Sequence, residues 1–348
     1  MSNPTICAGY PKALLDFAVS KGADRQTLIA MSHIHPDELQ NQDNRIPLAN
    51  YLALLRAGIE LCNEPALSLL FGEAVKLADI SIVGLIGPLA GNSEDGRRQM
   101  NRYGRLALDE GDGESSVHME LVREGRDVWL RASGALYADN PLLTESAFAR
   151  CVCGARAMLA SMPGLANAPL LKAFRFTHKE PSYRAEYDRI FGVPLSFESE
   201  MNAILIDEAI LTLKPPPPNP YLSEVLRAHA EGLLEKLDRS TSMRGRVESL
   251  LIPALHTGHA NMDMIAGKLA LSRQTLFRKL KAEGVTFEKV LDELRHRLAL
   301  HYLSEKKTSV HEAAYLVGFS DPGAFSRAFK RWTGSSPRRM RASKVEQA

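Results

Sequence analysis

The chain has 348 residues, of which 45% are hydrophobic, 24% charged and 7% aromatic. That length suits two or three domains, and the apolar content excludes a wholly disordered or fibrous protein. The net charge of +2 conceals an asymmetry: residues 241–348 carry 19 Lys and Arg against 10 Asp and Glu, whereas residues 1–240 carry 24 against 31. A basic, polyanion-seeking segment is thus joined to an acidic body. The longest mostly apolar run, Ile80 to Ala90, is about half the length of a membrane-spanning helix, and the N-terminus lacks the basic-then-apolar pattern of a secretory signal. Cys7, Cys62, Cys151 and Cys153 are too few for a disulfide scaffold and have no CxxC spacing. A reducing cytoplasm is the expected compartment, with no membrane partner.

In chain order, Tyr10–Lys21, Pro47–Cys62 and Pro65–Lys76 space their apolar residues as helices. Asn92 to Gly96 reads as a helix start with Ser93 as N-cap, running to about Leu108 and ended by Asp109–Gly113. Ser116–Leu121 and Asp127–Ser133 alternate as strands around a turn at 124–126. A long helix from about Pro141 to Ala160 follows, then short strands at Phe174–Thr177 and Ile204–Ile206 flanking a helix at Tyr183–Phe191. Residues 1–213 are therefore expected to form an α+β domain with helices in the majority. Lys214-Pro-Pro-Pro-Pro-Asn-Pro220 opens a stiff linker, and Tyr221–Arg239 reads as a linker helix with Leu222, Val225, Leu226, Leu233, Leu234 and Leu237 near one face. That stripe suits packing on its own domain or against a dimer partner.

The N-terminal region has one unusual chemical feature, Arg97-Arg98-Gln-Met-Asn-Arg102-Tyr103-Gly-Arg105. On a helix Arg98, Arg102 and Arg105 share a face, and with Arg97 beside them they suit a phosphate or carboxylate, with Tyr103 or Trp129 available to stack a ring. The alternative is a solvated face paired to Glu94, Asp95 and Asp109. The Arg98-x-x-x-Arg102 spacing is similar to the arginine motif of PilZ domains, which bind a cyclic dinucleotide, but the Asp/Asn-x-Ser-x-x-Gly strand of those domains is absent. His33 and His35, and His256 and His259, lack further ligands at metal spacing. With no glycine-rich nucleotide loop, nucleophile elbow or HExxH segment, no cofactor and no enzymatic activity are expected.

The basic third holds an internal repeat. Ile265 to Lys281 and Ala313 to Lys330 each place small residues four apart (Ala266 and Ala270; Ala314 and Gly318), then Ser, and end in Leu/Phe-x-Arg-x-Leu/Phe-Lys. Steeply crossing helices need small residues where they touch, a permissive residue in the turn and a cap on the second helix. Ser272, and Ser320 or Asp321, supply the cap, and Pro322 fits a first turn. The reading is an all-α domain over 240–342 with helix-turn-helix motifs at about 262–282 and 310–332. Leu276, Leu280, Phe325 and Phe329 form the buried faces. Arg273, Gln274, Thr275, Arg278 and Lys279 occupy the polar face of the first second-position helix, and Ser326, Arg327, Lys330 and Arg331 that of the other. A helix over Thr286–Leu303 joins the motifs. At about 27 Å it would hold them near the roughly 34 Å of one DNA turn, and a shorter separation would require bent DNA.

Residues 310–341, with Val-Gly-Phe-Ser-Asp-Pro-Gly-Ala-Phe-Ser-Arg-Ala-Phe-Lys-Arg-Trp-Thr-Gly-Ser-Ser-Pro, resemble the AraC/XylS transcription-regulator signature over about 100 residues of chain. The segment Phe176-Thr-His-Lys-Glu-Pro-Ser-Tyr183 through Glu186-Tyr-Asp-Arg-Ile-Phe-Gly-Val-Pro194 resembles the long sensor domain of the ornithine-utilisation-regulator branch. The resemblance implies an N-terminal effector-binding and dimerisation domain, binding to double-stranded DNA as a homodimer, activation and contact with RNA polymerase. It implies base contacts from Gln274, Thr275 and Arg278 and from Gly323, Ala324 and Arg327. Pro322-Gly323-Ala324 departs from a polar pattern, so the second helix is expected mostly to hold phosphate. The expected effector is small and anionic, such as an amino acid, a fatty acid or a cyclic dinucleotide. Two alternatives stay open: a constitutive dimeric regulator without ligand, and an enzyme with a DNA-binding tail, for which no nucleophile–base set is visible.

Overall fold

In the N-terminal part, chain segments of only two or three residues make the first sheet. Strand β1 (Thr5–Cys7) lies between β2 (Arg45–Pro47) and β3 (Leu108–Asp109), antiparallel to both. The computed structural model describes residues 4–90, 92–111, 118–165, 168–213, 219–257, 260–304 and 308–340. The proline run at 214–218, the strand start at 116–117 and His259 lie outside the described residues. The chain folds as two units, Met1–Leu237 and Asp238–Ala348.

In the first unit, α1 (Gly9–Ser20), α2 (Arg25–Ser32), α3 (Leu48–Leu61) and α4 (Leu67–Ala74) surround the small sheet, burying Leu14, Leu15, Leu28, Leu54, Leu55 and Phe71 in one core. Helix α5 (Ser93–Ala107) follows. A second sheet contains β4 (His118–Glu124), β5 (Asp127–Ser133), β6 (Leu171–Arg175), β7 (Leu195–Ser196) and β8 (Ala203–Ile206) in the order β4-β5-β8-β6-β7, antiparallel except for β6 with β7. Helices α6 (Pro141–Ala160) and α7 (Arg184–Phe191) bring Phe148, Val152, Tyr187, Ile190 and Phe191 against Val128, Phe174, Ile204 and Ile206. Gly72 of α4 allows α4 and α6 to touch: a Cβ there would stand 2.3 Å from the Ser146 carbonyl oxygen.

Helix α8 (Pro220–Thr241) crosses the boundary between the units. Its Leu226, Ala230, Leu233, Leu234 and Leu237 pack with Ile82, Val83, Ile86, Tyr103 and Leu106 of the first unit. The contact stripe is thus 226–230–233–237, at helical spacing, and Leu222 and Val225, expected on it, fall outside it and are 48% and 46% exposed.

The second unit is all helical: α9 (Met243–Leu251), α10 (Met262–Lys268), α11 (Arg273–Ala282), α12 (Phe287–Ser304), α13 (Val310–Leu316) and α14 (Pro322–Thr333). Helix α12 serves two cores. Its Phe287, Val290 and Leu294 join Val247, Leu251, Ile265, Leu276 and Leu280, whereas its Ala299 and Leu303 join Ala313, Val317, Phe325 and Phe329.

Several local expectations shift. The cap of α5 is Asn92, whose extended backbone lets its side chain accept from the Asp95 N–H at 2.9 Å. Ser93 already sits in the helix, and its hydroxyl donates to the Ile210 carbonyl at 2.5 Å. Asp109 ends the helix but belongs to β3. The expected strand at Phe174–Thr177 begins earlier, at Leu171, because Leu171 pairs with Ile206 of β8.

The α6–α7 core buries one carboxyl. Glu145 is 1% exposed, and its Oε2 accepts from the Tyr187 hydroxyl at 2.7 Å and the Tyr183 hydroxyl at 3.0 Å. Burial pushes its pKa up to about 7, against the two tyrosine bonds that lower it. The folded chain therefore holds this proton more tightly than the unfolded chain does. The stability lent by the protonated form is complete below the ordinary glutamate pKa and is lost as pH rises through about 7. In a Trp332→Phe background, denaturant unfolding followed by Trp129 fluorescence should show a Glu145 contribution to stability that falls from pH 5 to pH 8, against the opposite slope of His178, whose pKa burial lowers. Glu145→Gln should remove most of the falling contribution and add roughly 3 kcal/mol at pH 8.

Candidate nucleic-acid interface and sensor groove

Both motifs of the second unit turn on one left-handed residue. Between α10 and α11 it is Ala270, at φ 53°, and between α13 and α14 it is Gly318, at φ 82°. The same bond closes each turn: Leu271 N–H donates to the Ala266 carbonyl and Phe319 N–H to the Ala314 carbonyl, both at 2.9 Å. Gly318 is needed for space as well, since a Cβ would meet the Leu255 carbonyl oxygen at 2.5 Å. Ser272 caps α11 by accepting from the Thr275 N–H at 3.1 Å. The extra residue of the second turn gives the cap of α14 to Asp321, which accepts from the Gly323 and Ala324 N–H groups at 2.9 and 2.8 Å. Those two bonds hold its carboxyl below the usual range.

The second turn is braced from α12. Arg295 Nε donates to the Val317 carbonyl at 3.1 Å and Nη2 to the Gly318 carbonyl at 3.3 Å, with the guanidinium 4.8 Å from the Phe319 ring centre. Glu248 of α9 receives Arg244 at 2.9 Å and Arg297 of α12 at 2.6 Å. Sequence spacing did not expose Arg295, because its target is backbone 22 residues away.

The two outer helices bury Leu276 and Leu280, and Phe325, Ala328 and Phe329. On α11, Arg273, Gln274, Phe277, Arg278 and Lys279 are exposed, while Thr275 is half-buried beside the cap. Arg273 pairs with Asp263 at 2.8 Å. On α14, Gly323, Arg327, Lys330 and Arg331 are exposed and Ala324 half-buried. Arg327 stands 3.6 Å from Asp321, and Arg331 pairs with Asp292 of α12 at 2.7 Å beside the Trp332 Nε1–H. Among the described residues, Arg278 and Lys330 make no ion pair.

In the first unit the arginine row divides. Arg97 grips Glu94 and donates to the Met119 carbonyl at 2.8 Å, tying α5 to β4. Arg105 is buried and pairs with Asp109 at 2.8 Å. Trp129 is buried on β5 with the Arg175 guanidinium 3.8 Å from its ring centre. These three do not line the surface groove that Arg98 and Arg102 share with Asp95, Gln99, Tyr103, Arg227 and Glu231, a space of about 540 Å³. Arg97 lies about 100° round the helix from Arg98 and reaches β4, whereas Arg105 keeps the face of Arg98 and Arg102 by spacing but sits in the last turn of α5, where it is buried against Asp109 of β3.

Helix α8 supplies the opposite wall. Arg102 meets Glu231 through Nε and Nη2, both at 3.0 Å, and the Tyr103 hydroxyl donates to Glu231 at 2.6 Å. These bonds hold the Glu231 carboxyl below the usual range. Arg98 is exposed and reaches Glu94 at 3.2 Å. An adjoining space of about 640 Å³ shares Arg227 and Glu231 and adds Leu89, Pro220 and Ala228 together with Ser223 and Glu224. The groove thus has an arginine-rich end and an end that mixes apolar and acidic side chains. Arg227 and Glu231 were legible only as charges on a leucine-striped helix.

The histidines have local tasks. His33 is the left-handed residue ending α2, and His35 Nδ1 accepts from the Asp37 N–H at 3.3 Å. Among the described residues no group of three or more His, Cys, Asp or Glu is placed to hold a metal, and no helix is long and apolar enough to cross a membrane.

Residues 22–215 match the family described as the arabinose-binding domain of AraC transcription regulator, N-terminal, and residues 265–343 match a helix-turn-helix domain. The chain is 29% identical over 335 residues to an ornithine utilization regulator of Pseudomonas aeruginosa, covering 95% of each. It is 36% identical over 125 residues to the transcriptional activator RhaS of Escherichia coli, covering 35% of this chain and 44% of that one. The crystal structure of the transcriptional regulator CdpR from Pseudomonas aeruginosa aligns with 91% of this chain and 96% of its own, at 21% identity and a TM-score of 0.41.

Proposed function

The chain belongs to the AraC family of DNA-binding transcription regulators, and from that premise we propose that it is an effector-responsive activator working as a homodimer. It is a regulator and not an enzyme. The observation that carries the DNA-reading half is the pair of equally closed turns, Ala270 and Gly318, each presenting a capped helix with a polar, basic outer face. In this reading Gln274, Thr275 and Arg278 of α11 read base edges, with Arg273 and Lys279 beside them. Gly323, Ala324, Arg327, Lys330 and Arg331 of α14 mostly hold phosphate. Activation is supported by the similarity of the DNA-binding part to a transcriptional activator; contact with RNA polymerase is what such activation would require.

The sensing half rests on the groove. Arg98, Arg102 and Arg227 suit a small effector bearing a carboxylate or phosphate, and Tyr103 is at hand beside them. Amino acids, fatty acids and cyclic dinucleotides meet that description. An effector changes DNA affinity only by as much as it prefers one state of the chain over another. Helix α8 carries Glu231 and Arg227 and runs on into the second unit, which makes it the coupling element. A second reading, a constitutive regulator without effector, is favoured by the fact that Glu231 already occupies Arg102.

On a selected DNA site, Arg278→Ala should cost about 1–3 kcal/mol and relax discrimination at one base pair, whereas Lys330→Ala should weaken cognate and scrambled duplexes alike. Wild-type affinity should fall steeply between about 50 and 200 mM salt. Fluorescence anisotropy at several salt concentrations checks all three; identical behaviour of both variants on both duplexes contradicts the division of labour.

A thermal-shift screen of amino acids, fatty acids and nucleotides should find a stabilising ligand. Arg102→Ala should then abolish the ligand's effect on DNA binding and leave basal binding intact. The Arg98→Ala/Arg102→Ala pair should lower ligand affinity by roughly tenfold or more. A double variant that responds normally removes the groove from consideration.

A further inference from the structure

On the outer side of α11 stands a residue that neither the charge pattern nor the polar motif accounts for. Phe277 is 51% exposed. Its neighbours along the helix surface are Gln274 one turn before and Lys281 one turn after, and Arg278 follows it directly. The buried side of the same helix is already supplied by Leu276 and Leu280, at 0% and 1% exposure. Phe277 is therefore not a core residue that has slipped outward. It is an aromatic ring held in water among basic and amide side chains, on a helix whose direction is fixed by the Ser272 cap and the Ala270 turn. An exposed ring in that company needs an apolar surface beside polar and anionic ones. The major groove offers one apolar group on its base edges, the thymine 5-methyl.

We propose that Phe277 is a specificity-determining residue that recognises a thymine through its 5-methyl group, adjoining the bases taken by Gln274 and Arg278. The assignment rests on the reading of α11 as a DNA-reading helix. It adds what that reading lacks, a contact that selects without a hydrogen bond. Gln274 and Arg278 distinguish bases by donor and acceptor patterns, in which uracil and thymine are alike; Phe277 distinguishes them by the methyl group alone.

The test uses the full-length chain and a duplex obtained by selection from a random library. Each thymine of the selected site is replaced singly by deoxyuridine, which removes only the methyl group. At one position within the α11 half-site the wild-type chain should lose roughly three- to tenfold in affinity. Phe277→Ala should bind the thymine duplex about as weakly as the wild type binds the uridine one, and should show no further loss on the replacement. Phe277→Leu, which keeps an apolar tip, should retain part of the methyl dependence. Because half of Phe277 is still packed, Phe277→Ala should lower the melting temperature by no more than several degrees, and melting curves verify that both variants are folded where binding is measured. A methyl dependence that survives in Phe277→Ala, or none at any position in the wild type, overturns the proposal. Arg278→Ala distinguishes the two levels: if it relaxes selection while no thymine methyl matters, only the role of Phe277 fails. If neither variant changes selection, the reading of α11 fails with it.

Discussion

In each of the two helix-turn-helix motifs of the DNA-binding unit, one residue of the turn passes through the left-handed region. Gly318 enters that region without a Cβ, and a Cβ could not be placed there against the Leu255 carbonyl. Ala270 enters it with one, at about 1–2 kcal/mol of backbone strain. The strain is offset locally: the Leu271 N–H finds the Ala266 carbonyl, and the Ser272 cap contributes about 1 kcal/mol. The turn fixes where each outer helix begins, and the start fixes which side chains point outward. The exposure of Gln274, Phe277 and Arg278 and the burial of Leu276 and Leu280 follow from it.

Helix α12 makes the two turns parts of one unit. Its first half completes the core around Leu276 and its second half the core around Phe325. Arg295, between them, spends two donors and its flat face on the second turn. Glu248 of α9 holds Arg244 of its own helix and Arg297 of α12, which ties α9 to α12. The two cores bury Leu276 and Leu280 of α11 and Phe325 and Phe329 of α14, and the outer faces stay polar and basic apart from Phe277.

What could be read from the sequence follows the physics of each element. The repeat was legible because helix crossing, turn and cap each demand a residue type at a fixed position, and the long helix because its apolar residues keep the 3.6 period over 18 residues. The three-stranded sheet was hidden, since Thr5–Cys7, Arg45–Pro47 and Leu108–Asp109 are too short to show a period of two. In the sensor unit the arginines were visible but their partners were not. Glu231 lies 129 residues from Arg102, and no local spacing announces that pair. The same distance effect concealed Arg97 on the Met119 carbonyl and Arg175 on Trp129. In the groove, the ring of acids and arginines became a specific arrangement only once α8 was laid beside α5.

One chain should set two capped helices on DNA through its two left-handed turns, spaced by α12. Hydroxyl-radical footprinting of the full-length chain on a selected duplex tests this most directly. Two protected tracts for each bound chain, centred about 10 base pairs apart on one face of the duplex, are the predicted result. A single protected tract per chain, unchanged when Arg327→Ala and Lys330→Ala are combined, would contradict it.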